Sequence, residues 1–250
     1  MLALITGASS GIGRDMARIL SERGYDLILV ARRKTRLSQL KKELKTNVEI
    51  INLDISSVYN CTELYDQVKD KDIDIVINNA GFGLYGEFTS LKLEKELDMI
   101  DTNIKAVHCL TKLFLEDFKK KDKGYILNVA SSAAFMPGPM MATYYATKAY
   151  VLHFTEAIYE ELRQSGSHVY IGALCPGPVS TNFNKVAGVE FSLNALTSYD
   201  VAHYALDQMF RRKLVIVPGI QMKLVHVFYR FVPTELLLKI TYHIQKKKGS

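Results

Sequence analysis

At 250 residues the chain is long enough to bury a substantial core, and it fits one α/β domain better than two. Its 48% hydrophobic and 23% charged residues are ordinary for a globular protein, and a net charge of +6, scattered over short basic clusters, does not by itself call for nucleic acid. Three cysteines (Cys61, Cys109, Cys175) at no metal-ligand spacing, with six scattered histidines, argue against a disulfide scaffold and against a metal site.

The chain starts with MLALITGASSG, which lacks the basic region and the length of a signal peptide. No apolar run approaches the ~20 residues of a membrane span, so the expectation is a soluble, cytoplasmic protein. In chain order, strands are expected at 2–6, 26–31, 48–54, 74–78, 125–130, 168–175 and 214–218. Several are apolar on both faces, as in parallel strands covered from each side. Helical patterns fill the intervals at 12–23, 33–46, 57–70, 94–120, 144–164 and 198–211. This alternation predicts an α/β fold, a doubly wound parallel sheet of about seven strands with helices on both faces, in a single domain over 1–250. Two regions break the pattern. The loop 176–197 is rich in Pro, Gly, Ser and Asn, and 182–197 is expected to be a substrate lid. The end, 219–248, mixes apolar and basic residues and is expected to form one or two amphipathic helices.

TGASSGIG (Thr6 to Gly13) follows the first strand directly and opens a helix. Unpaired N–H groups at a helix start bind anions, helped by the helix dipole. Gly7 and Gly11 would let a dinucleotide approach the backbone, and Gly13 would let helix and strand pack. The end of the second strand is where a ribose is read, and it carries Arg32 and Arg33 with no carboxylate. A guanidinium matches a 2′-phosphate, so NADP(H) is preferred over NAD(H). Asp54, expected to end the third strand, is placed to accept from the adenine amino group.

Six motifs then stand in order: TGASSGIG at 6–13, Asn78-Asn79-Ala80-Gly81, Asn103, Ser131, Tyr144-x-x-x-Lys148, and PGPVST from Pro176 to Thr181. With these the chain resembles the short-chain dehydrogenases/reductases of the 250-residue, single-domain type. The resemblance implies a Rossmann-like fold and a catalytic set of Asn103, Ser131, Tyr144 and Lys148. In that set Tyr144 is the acid, its phenol pKa lowered by Lys148 and the oxidised nicotinamide, and Ser131 holds the carbonyl oxygen. Lys148 also grips the nicotinamide ribose, and Asn103 positions a water leading to Lys148. Cofactor contacts are implied at Gly7, Ser9, Ser10, Gly11, Ile12, Gly13, Arg32, Arg33, Asp54, Ile55, Asn79, Ala80, Gly81, Tyr144, Lys148, Pro176, Gly177, Val179 and Thr181.

Ser131-Ser132 and Tyr144-Tyr145 are both doublets at the same interval, so that interval does not choose the pair. Helix geometry makes both tyrosines neighbours of Lys148 and only leans toward Tyr144. The family's Tyr-x-x-x-Lys spacing selects Tyr144. Tyr145 is then expected at the substrate cleft, on the adjacent helix or at a subunit interface. The apolar lid residues Phe183, Val186, Val189, Phe191, Leu193 and Leu196, with Phe82, Leu84, Tyr85, Phe135 and Met140–Met141, point to an apolar carbonyl compound or secondary alcohol. The tail is compatible with membrane binding, but packing against the domain or a second subunit of a homodimer or homotetramer is preferred. The rival readings are an NADPH-binding sensor, which has no need of Tyr144 and Lys148, and a sugar-nucleotide epimerase or dehydratase. The shorter chain and the G-x-x-x-G-x-G spacing disfavour the latter.

Overall fold

The computed structural model describes residues 1–180, 187 and 195–246, with Arg230 described by its backbone alone. Thr181 and almost all of the expected lid lie outside the described residues. Seven strands form one wholly parallel sheet: β1 (Leu2–Thr6), β2 (Asp26–Val30), β3 (Val48–Ile51), β4 (Ile75–Asn78), β5 (Tyr125–Val129), β6 (Tyr170–Leu174) and β9 (Val215–Ile216). The short pair β7 (Val179–Ser180) and β8 (Leu196–Thr197) forms a second parallel sheet.

The apolar runs are explained by what each face meets. Along β1, Ala3 and Ile5 face one cluster and Leu4 the other. The first cluster is closed by α1 (Gly11–Glu22), α2 (Lys34–Glu43) and α7 (Ser198–Phe210), which contribute Met16 and Leu20, Leu37, and Val201 and Leu206. The second is closed by α3 (Val58–Val68), α5 (Ala106–Lys121) and α6 (Ala142–Gln164), through Leu64, Leu110 and Phe114, and Leu162. Helices therefore cover both faces, and the fold is a Rossmann-like doubly wound sheet.

Strand order is β3-β2-β1-β4-β5-β6-β9. The chain winds one way from β1 to β3 and the other way from β4 onward, so the topological switch lies between β1 and β4. A crevice opens there, beyond the carboxyl ends of the strands. At the C-terminus, α8 (Ile220–Phe228) and α9 (Thr234–Lys246) follow the last strand.

Two expectations need correction. The long helix over 94–120 is instead α4 (Leu93–Ile100), a π-helical turn over Asp101–Lys105, and α5. In that turn the Ala106 N–H reaches back to the Asp101 carbonyl, an i→i+5 bond. Such turns are uncommon, and they rotate the side chains that follow them. In addition, β3 stops at Ile51, so Asp54 sits past the strand, in the turn into α3, and its Oδ1 accepts from Ser56 N at 3.1 Å. Asn52 diverts the chain there by donating to the Ala31 carbonyl at 2.9 Å.

Candidate active site

The β1 and β4 turns are fastened together at the switch point. Thr6 Oγ1 accepts from the backbone N–H of Asn79 at 3.0 Å and of Ala80 at 3.1 Å, and Asn79 Nδ2 donates to the Thr6 carbonyl at 3.0 Å. A Cβ on Gly7, which sits at φ +67°, would fall 2.8 Å from Ala80 Cα. The close approach that requires glycine here is therefore one turn against the other. Gly13 has a related reason, because a Cβ would fall 2.3 Å from Asn79 Nδ2, and Gly13 does not reach the cavity wall.

Ser9, Ser10 and Ile12 of the first turn do line the cavity, as do Arg32, Arg33, Asp54 and Ile55. Arg33 folds over the glycine-rich turn, with Nη2 2.8 Å from both Ser9 Oγ and Ser10 Oγ. Burial, followed by the like charges of Arg36 and Arg32, lowers its pKa. A group of clustered cations at the mouth of an anion-binding turn is suited to a phosphate. Arg32 lies on the solvent side, 3.5 Å from Asp54.

The other end of the crevice is built from β5 and α6. Ser131 sits one residue past Ala130 and caps a 3-10 turn over Ser132–Phe135, where its Oγ accepts from Ala133 N at 3.1 Å. It is also hydrogen-bonded to the Tyr144 hydroxyl. Tyr144 and Lys148 stand one turn apart on α6, both buried and both lining the cavity. Lys148 Nζ lies 5.9 Å from the centre of the Tyr144 ring and donates to the Val129 carbonyl at 2.8 Å.

The electrostatics differ from the expectation. Burial raises the Tyr144 phenol well above its ordinary range, and the Ser131 hydrogen bond only partly opposes this. Burial also pulls Lys148 down to about 8. Lys148 does not draw the phenol down here, because it lies over the ring and its proton is directed at a backbone carbonyl.

Asn103 stands behind the site. It lies in the π turn, fully buried, and does not reach the cavity wall. Its Nδ2 donates to the Phe82 carbonyl at 2.9 Å and to Thr147 Oγ1 at 3.1 Å, while Oδ1 accepts from Phe82 N at 3.1 Å. The side chain thus ties the loop after β4 to α6. Gly81 is sandwiched at this joint, since a Cβ would come within 2.9 Å of Asn103 Oδ1 and 3.4 Å of Lys148 Nζ.

Asn79, Ala80, Gly81, Pro176, Gly177 and Val179 border the same cavity. Phe82, Leu84 and Met141 line it as well, but Phe135 lies behind the wall, with its ring centre 4.4 Å from that of His226. Tyr145 lines the cavity beside Tyr144, at 6.1 Å between ring centres and nearly perpendicular. Sequence reasoning missed the roof. Gln221, Met222 and Val225 of α8, with Thr241, Ile244 and Gln245 of α9, complete the lining. The amphipathic pattern signalled one or two helices, but not which face would close over the site. No group of acidic, histidine or cysteine side chains suited to a metal occurs among the described residues.

Comparison with known proteins agrees with this geometry. The model of the short chain dehydrogenase family matches residues 1–189. An uncharacterized oxidoreductase of Staphylococcus epidermidis is 34% identical over 213 residues, which is 83% of this chain and 91% of the relative. A short-chain dehydrogenase from Sphingobium yanoikuyae, solved in complex with NADPH, is 30% identical and superposes with a TM-score of 0.82 over 92% of this chain and 94% of that one. The bulky-bulky ketone specific alcohol dehydrogenase from Comamonas testosteroni is 31% identical, with a TM-score of 0.79 over 92% of this chain and 88% of that one. On the family match and these relatives, the chain belongs to the short-chain dehydrogenase family of oxidoreductases.

Proposed function

We propose that the chain is an NADP(H)-dependent oxidoreductase that interconverts a carbonyl and a secondary alcohol on an apolar small molecule. The observation that carries this reading is one continuous cavity of about 1190 Å³. It runs from the Arg33–Ser9–Ser10 cluster at one end to Ser131, Tyr144 and Lys148 at the other. That volume exceeds the ~300–1,000 Å³ of a pocket for one drug-sized ligand. The NADPH in the Sphingobium relative and the bulky ketone in the name of the Comamonas relative point the same way.

The residues present fit a nicotinamide dinucleotide, which when bound would supply or accept the hydride. The N–H groups of the turn from Gly7 to Ile12 would take its pyrophosphate. Arg33, backed by Arg32, would take a 2′-phosphate, while Asp54 and Ile55 would border the adenine. Pro176, Gly177 and Val179 would flank the nicotinamide, and Lys148 its ribose. At the reacting end, Tyr144 Oη gives its proton to the carbonyl oxygen as negative charge builds there. The burial that raises its pKa keeps that proton in place at neutral pH. The Ser131 hydroxyl holds the same oxygen. Asn103 is a positioning residue that fixes the loop after β4 against Thr147, next to Lys148.

An NADPH sensor is less well supported. A buried lysine with a depressed pKa lowers stability, and a sensor gains nothing in return. Initial rates on a panel of ketones, aldehydes and alcohols, with NADPH, NADH and their oxidised forms, test the proposal. Turnover with a preference for NADPH of at least about tenfold is expected. Tight NADPH binding without turnover would leave the sensor standing, and a preference for NADH would overturn the reading of Arg32 and Arg33.

A further inference from the structure

We infer that the outer faces of α8 and α9 form a docking surface for an anionic lipid bilayer, which sets the roof of the cavity against the headgroup layer. Each of these helices turns one face to the domain and leaves an apolar face exposed. On α8, Met222, Val225 and His226 turn inward, and Met222 packs on Gly177 while the His226 ring meets Phe135. On the opposite side Ile220, Leu224, Val227 and Phe228 are all exposed, Phe228 at 59%, and they fall within about 100° of arc. An apolar face left exposed on a helix whose other side already packs marks an interaction surface. On α9, Thr241 and Gln245 face the cavity, while Leu236 and Ile240 form an exposed stripe at i, i+4, continued by Ile244, which is exposed and also borders the cavity. Phe231, in the turn between the helices, is 79% exposed.

Charge selects the occupant. Lys239, His243 and Lys246 border the α9 stripe, and Lys223 flanks the one on α8. Over 219–248 the sequence carries Lys223, Arg230, Lys239, Lys246, Lys247 and Lys248 against the single acid Glu235. A second copy docking through this face in a two-fold dimer would set that positive charge against itself. An anionic bilayer complements it: the apolar stripe enters the headgroup–acyl boundary and each lysine gains from the negative surface. None of the described helices is long and apolar enough to cross a membrane, so the contact is interfacial. This surface does not depend on which substrate the cavity accepts, nor on whether the site turns over.

Flotation of the full-length chain with phosphatidylcholine vesicles, with and without phosphatidylglycerol, tests the inference. Co-flotation is expected with the anionic vesicles, weakened by salt and much reduced with phosphatidylcholine alone. Leu224→Ser/Phe228→Ser, at two positions that do not line the cavity, should weaken binding by at least about tenfold. Lys239→Glu should remove most of the gain conferred by phosphatidylglycerol, and circular dichroism with the thermal midpoint shows that both variants fold. The inference is overturned if the parent chain fails to float with anionic vesicles, or if both variants bind undiminished. It is equally overturned if the parent is a dimer that Leu224→Ser/Phe228→Ser splits without any vesicle binding, which would give the face to a second copy.

Discussion

Gln245, on the last helix, donates from its side-chain amide to the hydroxyl of Tyr145, 100 residues earlier in the chain. Its backbone carbonyl also accepts from the Tyr85 hydroxyl at 3.1 Å, and its side-chain oxygen is buried with no partner among the described residues. One residue thus pins α9 to the loop after β4 and to the second tyrosine of α6. Because Gln245 and Tyr145 both line the cavity, Gln245→Ala should loosen the roof over the substrate end. Losing one such bond costs about 1 kcal/mol of stability. KM for bulky ketones should rise by about three- to tenfold while kcat stays within about twofold, because the reacting groups are untouched. An unchanged KM across substrates of different bulk would show that α9 does not shape the substrate end.

The neighbouring tyrosines should separate cleanly. Tyr144→Phe removes the hydroxyl that is hydrogen-bonded to Ser131, and single-turnover hydride transfer should fall by about 10²–10⁴-fold. Tyr145→Phe removes only the partner of Gln245, and hydride transfer should survive. The reverse pattern, measured at saturating cofactor, would move the acid to Tyr145.

How much of this was legible beforehand follows from the physics of each part. The strands show in the sequence because residues such as Ala3, Leu4 and Ile5 bury on alternate faces of a sheet covered on both sides, leaving continuous apolar runs. The first turn shows because close packing against Ala80 leaves no room for a Cβ on Gly7. The π turn at Asp101–Lys105 leaves no such mark, because a single wide turn is too short for its own period to show between the helices on either side. Asn103 is therefore visible as a residue but not as a buried clamp. The Gln245–Tyr145 bond was equally hidden, since an amphipathic pattern gives a helix its inner face without naming what that face meets.

Arg33 makes a prediction about the cofactor. Its guanidinium already rests on Ser9 and Ser10, amid the like charges of Arg32 and Arg36. Arg33→Ala should weaken NADPH binding by about tenfold or more, since a charge-assisted hydrogen bond contributes ~1.5–3 kcal/mol, and should leave NADH nearly unchanged. Titration of each reduced cofactor by fluorescence reads both numbers. An equal loss for both would mean that Arg33 merely shapes the turn.

Lys148 should be needed for activity and harmful to stability. Its folded-state pKa is depressed from 10.5 to about 8 by burial, so the folded state disfavours the ammonium relative to the unfolded chain. Below about pH 8 both states are protonated, and the folded protein bears the whole of that penalty. Between about pH 8 and 10.5 the unfolded chain holds the proton that the folded one has lost, so this group makes stability rise with pH. Lys148→Met keeps the apolar stem and removes the charge, at the expense of the 2.8 Å bond to the Val129 carbonyl. A shift of this size, less the loss of one hydrogen bond, predicts a variant more stable than the parent by roughly 2 kcal/mol at pH 7. That advantage should shrink as pH rises through 8 toward 10.5, while hydride transfer falls sharply at every pH. Urea unfolding of parent and variant at pH 7 and pH 10 measures the gap directly. A variant that is less stable at pH 7, with a gap indifferent to pH, would mean that the ammonium is well solvated or ion-paired in the folded protein, and the role given to its burial would fail.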